Sequence, residues 1–200
     1  MRLFISSEFG LETELWLQVP LVTRMERIEM DKIINNTEGK YGNLIVQELT
    51  LPATHTEPMA LELYSRFGKR IHWIDSSIVP GSFQMNTSLY LKPTKDTFDD
   101  VTNDQAKYLS FKIPHVHDNA EILGFYGTNP DDPYDLGGEI EIDIDGETHV
   151  LTKSSLVFLP GGVPHCPLTI TKVDRPIFHF SIVMDSQYTL EVDGKVEVVE

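Results

Sequence analysis

The sequence predicts a mainly β protein, an antiparallel jelly-roll barrel with an α+β extension at its N-terminus. Three observations predict it. From residue 83 on, at least six short segments alternate or run apolar as strands do, with turn signals at intervals of about ten residues. No helical pattern interrupts that stretch. The clearest helical spacing lies upstream, over about residues 57–67. Residues 1–75 are therefore read as the extension, 76–187 as the barrel and 188–200 as a C-terminal β-hairpin tail.

Glu12–Val19 reads as a strand, since Leu15, Leu17 and Val19 alternate with Trp16 and Gln18. Leu21, Met25 and Ile28 have helical spacing, as do Met30, Ile33 and Ile34, but the apolar face drifts between the two sets. Asn35–Gly39 is a turn by composition, and Leu44–Leu49 a short strand. Thr56-Glu57-Pro58 opens a helix with a hydroxyl cap followed by an acid and a proline. Ala60, Leu61, Tyr64 and Phe67 follow at helical spacing, and Gly68 ends the run. A capped helix entry accounts for His55 and Glu57 without a second metal site.

Ile71–Ile74 is a short apolar strand and Val79-Pro80-Gly81 a turn. Phe83–Leu91 places Phe83, Met85, Thr87, Leu89 and Leu91 on one face, as a half-buried strand should. Lys92–Asn103 is a polar loop, after which Tyr108, Phe111 and Ile113 lead into a histidine-bearing strand. Ile122–Gly127 is a buried strand, whereas Thr128–Leu136 is broken by prolines and aspartates. Glu139–Ile144 and Glu147–Leu151 alternate strictly on either side of Asp145-Gly146, the signal of a two-residue hairpin. Leu156–Leu159, Leu168–Val173 and Pro176–Val183 supply three more strands. Tyr188–Val192 and Lys195–Val199, joined by Asp193-Gly194, form the last hairpin.

Charge excludes two classes of partner. With 31 Asp and Glu against 16 Lys and Arg, the formal charge is −15. No basic run offers a surface for nucleic acid, and anionic membranes repel such a chain. Cys166 is the lone cysteine, so no intramolecular disulfide forms and a reducing compartment is compatible. The first residues turn acidic too soon for a signal peptide, and no apolar run approaches the roughly 20 residues of a membrane helix. The expected location is the cytoplasm.

One stretch organises the chain: Pro114-His115-Val116-His117-Asp118-Asn119-Ala120-Glu121. Successive side chains of an extended strand point to opposite faces, so His115 and His117 project together. The following three residues let the chain turn and bring Glu121 beside them. Downstream, Pro160-Gly161-Gly162-Val163-Pro164 delivers His165 at the end of a turn. His-x-His-x3-Glu, then Pro-x-Gly-x2-His about forty residues later, resembles the paired motifs of the cupin superfamily.

The resemblance spans roughly residues 83–184 and implies a cupin-type double-stranded β-helix. It implies that His115, His117, Glu121 and His165 gather inside the barrel around one divalent transition metal: iron, manganese, nickel, zinc or copper. Three imidazoles and a carboxylate suit a first-row ion and leave a position or two open for water or substrate. The strings Glu121–Pro130, Leu136–Glu139, His165–Leu168 and Val173–Ile177 resemble a subgroup of bacterial cupin-domain proteins. Leu109 and Ser154 stand where the two motifs usually open with glycine, Gly127 closes the first motif one position early, and Thr169 replaces the usual asparagine.

Other candidates keep two readings. His179 is either a general base beside the metal, or a partner of its ligands, or a core histidine between Phe178 and Phe180. Cys166, next to His165, should point away from the site and pack. Phe83, Met85, Phe125 and Tyr126 line a pocket or, more ordinarily, build core. Glu139 and Glu141 read as a solvated face. Arg175 anchors a substrate carboxylate or forms a surface ion pair. The functional expectation is a metal-dependent enzyme acting on a small organic molecule, of oxygenase, isomerase, decarboxylase or lyase type. The alternatives are a non-catalytic small-molecule sensor and a barrel with a vestigial site. The resemblance also implies a homodimer formed through edge strands.

Overall fold

The computed structural model describes residues 39–52, 56, 58–102, 105, 108–187, 189–192 and 195–198. The patterns expected before residue 39, His55, Glu57 and the turn Asp193-Gly194 lie outside them. Leu44–Leu49 is not the expected strand. Gly42–Leu44 is a 3-10 turn and the following residues pair with no strand among those described, leaving Leu44, Ile45 and Leu49 exposed.

The helix α1 runs over Pro58–Ser65, shorter than expected. Arg66 and Phe67 continue it only as turns, because Gly68 already opens strand β1, Gly68–Ile74. The expected boundary at residue 76 therefore falls after the first strand of the sheet. β1 pairs antiparallel with β2, Gln84–Tyr90, across a bulge between Arg70 and His72.

The remaining strands are β3 (Glu121–Tyr126), β4 (Asp135–Ile144), β5 (Glu147–Lys153), β6 (Ser155–Leu159), β7 (His165–Val173) and β8 (Ile177–Val183). A last pair, β9 (Thr189–Val192) and β10 (Lys195–Val198), makes a separate two-stranded sheet. Five strands lie in the order β1-β2-β8-β3-β6, and three in the order β5-β4-β7. Every pairing is antiparallel, and neighbours distant in sequence, such as β2 and β8, give the crossed connections of a jelly roll. The β4–β5 hairpin turns at Asp145 (φ 49°) and Gly146 (φ 81°), as the Asp-Gly pair requires.

Between the two sheets lies one core. Leu123, Phe125 and Ile177 come from the larger sheet; Ile140, Ile142, Leu168 and Ile170 come from the smaller. Leu63 and Phe67 dock α1 onto the same core, with the Phe67 ring 4.8–5.8 Å from Tyr64, Tyr90, Phe98 and Phe111. Phe67→Ala should cost about 3–5 kcal/mol in chemical denaturation, the usual loss for an aromatic deleted from a packed core.

Strand β2 buries mainly the face opposite to the one its pattern predicts. Phe83 and Leu91 are exposed and Met85 and Leu89 half-buried, with Thr87 alone of that face buried, whereas Gln84, Ser88 and Tyr90 are buried and Asn86 half-buried. Of this strand, Asn86 and Tyr90 line the cavity behind it. The same sheet leaves Leu156 and Phe158 of β6 exposed on its outer side.

Candidate metal centre

Three chain segments meet at the site. His115 and His117 lie on an extended stretch just before β3; Glu121 opens β3; His165 opens β7. His115 and His165 exchange both backbone hydrogen bonds at 3.0 Å, which sets their side chains next to each other. Val116 bridges Glu191 of β9 in the same manner. Glycine makes the third approach: a Cβ on Gly161 would lie 2.2 Å from the Asp118 carbonyl oxygen, and the Gly162 amide (φ 79°) donates to the His117 carbonyl at 2.8 Å. The turn thus presses against the His-x-His segment and holds His165 there.

All four side chains are buried, at 3–4 % exposure. Their rings form one cluster, with centroids 5.1 Å apart for His115–His117, 4.4 Å for His115–His165 and 5.2 Å for His117–His165. Each ring uses Nδ1 in the same way, against a backbone carbonyl: Ile113 for His115 at 2.7 Å, Thr189 for His117 at 2.5 Å, Val163 for His165 at 3.1 Å. A proton on Nδ1 satisfies each contact and leaves Nε2 as a lone pair. The three Nε2 atoms are buried, those of His117 and His165 beside Glu121.

Glu121 faces them. Its Oε2 lies 3.0 Å from Nε2 of His165 and 3.4 Å from Nε2 of His117, while its Oε1 accepts a 2.7 Å hydrogen bond from Ser181 of β8. The possible ligand atoms of His117, Glu121 and His165 lie within 4.8 Å of one another; so do those of His115, His165 and Cys166. Burial works against charge on Glu121, but the facing His117 and His165 rings outweigh it and hold the carboxyl well below its usual range. Burial also pulls His117 down, yet Glu121 more than offsets this and raises it. His115, answering chiefly to burial and then to the neighbouring His165, falls to about 4.

Cys166 does not point away from the site. Its backbone is left-handed (φ 70°), which breaks the strand alternation after His165 and turns the thiol into the cavity. Burial pushes that thiol well above its ordinary range. His179 also reaches the cavity, stacked between Tyr90 and Phe125 at 4.9 Å from each, with Nδ1 3.0 Å from the Gly124 carbonyl. Burial drops it to about 4, so the ring is neutral at physiological pH.

Phe125 is core, whereas Phe83 and Tyr126 are exposed and none of these lines the cavity. Glu139 and Glu141 are half-buried rather than fully solvated, with Glu139 accepting from Thr171 at 2.8 Å. Arg175 pairs with Asp135, as a surface ion pair would. The departures from the cupin pattern have local reasons. Leu109 is buried in the core, and Ser154 accepts a 3.0 Å hydrogen bond from the Gly127 amide.

The cavity holds about 110 Å³. Its walls add residues that the motifs do not reveal: Tyr64 from α1, Arg70 and Trp73 from β1, Asn86 and Tyr90 from β2, and Ser181 from β8. The available signal was the polar alternation of Gln84, Asn86 and Ser88, and the spacing of Ser181 two residues beyond His179 on the same strand face.

The strand order is that of an antiparallel jelly roll, and His115, His117, Glu121 and His165 meet inside it. No family model matches the chain, and no curated protein matches it in sequence. Solved structures similar to it include a recombinant oxalate oxidase in complex with glycolate, 13 % identical over 78 % of this chain and 65 % of that one, at a TM-score of 0.41. A Bacillus subtilis oxalate decarboxylase variant is 14 % identical over 64 % of this chain and 28 % of its own, at 0.36. Hydroxypropylphosphonic acid epoxidase from S. wedmorenis is 16 % identical over 51 % of this chain and 43 % of its own, at 0.32. The chain thus spans less than two thirds of the length of each. Among the described residues no helix is long and apolar enough to cross a membrane.

Proposed function

We propose that this chain is a divalent-metal-binding cupin that binds a small organic molecule, and acts on it as an enzyme, at a 3-His/1-Glu site of His115, His117, Glu121 and His165. One observation carries the reading: three imidazoles, each fixed through Nδ1 against a backbone carbonyl, gather in one buried cluster beside a buried carboxylate. Three neutral nitrogens and one carboxylate fit a first-row divalent ion, whether iron, manganese, nickel or zinc. When bound, the ion supplies a Lewis acid that polarises a substrate oxygen.

The remaining work falls to the chain. Ser181 holds Glu121 through Oε1, so that Oε2 stays turned to the histidines. His179, kept neutral by burial and oriented by Gly124, lines the cavity and offers its ring as a hydrogen-bonding group to substrate. Leu123, Leu168 and Phe111 line the cavity with apolar surface that displaces water. Edge strand β6, with Leu156 and Phe158 exposed, is the proposed seat of a homodimer, to be checked by sedimentation. The lone cysteine is consistent with a cytoplasmic protein.

The test is metal analysis of protein purified without chelator or histidine tag. About one ion per chain supports the reading; no ion after reconstitution with each candidate metal overturns it. Ser181→Ala should weaken metal affinity by about 10- to 100-fold in competition with a chelator, with little change in unfolding midpoint.

A further inference from the structure

The candidate centre holds two donor sets, and neither is the full set of four motif residues. The ligand atoms of His117, Glu121 and His165 lie within 4.8 Å of one another, and those of His115, His165 and Cys166 meet the same limit. His165 belongs to both. The three members of the second set are buried, at 3–7 % exposure, and all of them line the cavity.

Backbone contacts build this second set. The hydrogen bonds exchanged by His115 and His165 leave their rings 4.4 Å apart, the shortest separation among the three clustered histidines. Nδ1 of each ring contacts a carbonyl, that of Ile113 or of Val163. Nε2 of His115 is buried and has no hydrogen-bond partner among the described residues. Cys166 joins them through its left-handed backbone, φ 70°, which residues with a side chain seldom adopt. Such outliers gather where a site needs a side chain aimed in one direction. The Leu168 backbone hydrogen-bonds the sulfur, an outer contact of the kind that steadies a metal-bound ligand.

The two sets differ in softness and not in charge. Each offers two imidazole nitrogens and one group that binds as an anion, a carboxylate oxygen in the first and a sulfur in the second. Carboxylate suits manganese, whereas thiolate selects soft ions. One imidazole nitrogen serves one ion at a time, so an ion on either set excludes an ion from the other.

We propose that His115, His165 and Cys166 form a second metal-binding set, selective for thiophilic divalent ions, that competes through His165 with the set containing Glu121. As the sulfur–metal bond forms, the S–H bond breaks and its proton passes to the buffer. The identity of the ion then decides which residues hold it. This rests on the metal-site reading for His165 as a ligand, and not on His117 or Glu121.

The experiment loads metal-free protein with manganese or cadmium and follows near-ultraviolet absorption and competition with a chelator. Cys166 is the lone cysteine, so a thiolate-to-metal charge-transfer band has one source. Cadmium should produce that band and displace bound manganese one for one; manganese alone should produce none. Cys166→Ser should abolish the band and weaken cadmium binding by about 100-fold or more, beyond the loss of a mere supporting contact, while manganese binds as before. Cys166→Ala repeats the measurement if the serine variant fails to fold. His115→Ala should also weaken cadmium binding, which separates a three-donor site from a mercaptide on the thiol alone. Glu121→Gln should lose manganese and keep cadmium. The proposal is overturned by a missing band in wild-type protein, by both ions binding together, by undiminished cadmium affinity in the Cys166 or His115 variants, or by loss of cadmium from Glu121→Gln. No manganese on wild-type protein, with the cadmium band intact, sinks the 3-His/1-Glu reading instead and leaves this one standing.

Discussion

Protein carrying His165→Ala should be purified with almost none of the metal that the wild-type chain retains. His165 is shared by both groups of close ligand atoms: one with His117 and Glu121, the other with His115 and Cys166. Removing it takes away the imidazole 3.0 Å from Oε2 of Glu121 and leaves a buried carboxylate facing a void. The expected fall is from about one ion per chain to less than a tenth, as befits the loss of a direct ligand when mere supporting partners cost about 10- to 100-fold. His149→Ala, at an exposed position on β5, should leave the content unchanged. Elemental analysis of both variants checks this, and equal metal in the His165 variant would remove the ligand assignment.

The second large effect is on acid stability. Burial depresses His179 from its ordinary 6.5 to about 4. Between those values the unfolded chain takes up a proton at this position and the folded chain does not, so unfolding gains as pH falls. The stability tied to neutral His179 is complete above about pH 6.5, declines as pH falls toward about 4, and is gone below that. Its size is about 3 kcal/mol for a shift of this width. Denaturant titrations of metal-free protein at pH 7, 5.5 and 4 measure it. His179→Phe keeps an aromatic ring between Tyr90 and Phe125 and should flatten the dependence by that amount, although its stability at pH 7 falls through loss of the contact with Gly124. An unchanged slope in the variant would show that His179 titrates normally.

These two histidines show how differently a site can be written into a chain. His165 was legible because a Pro-Gly-Gly turn is a local device: it needs no distant residue to be recognised, and the turn itself brings the histidine beside His117. The pair His115 and His117 was legible for the same reason, since strand alternation alone puts both on one face. His179 stood between two roles on sequence. Its neighbours Phe178 and Phe180 belong to the opposite strand face, and its true companions, Tyr90 and Phe125, lie on β2 and β3.

By itself, then, the sequence determined the strand-rich class, the Asp-Gly hairpin, the helix after Pro58 and the four residues of the candidate centre. Each of these follows from spacing within a few residues or from a turn whose backbone demands particular side chains. Tertiary structure alone decided which face of β2 looks inward, that β1 joins the sheet, that Cys166 turns into the cavity, and that Arg70 and Ser181 belong to its wall. Period-two alternation distinguishes two faces of a strand but does not say which one meets the interior. That depends on strands brought together from remote parts of the chain, here β1 and β8 on either side of β2.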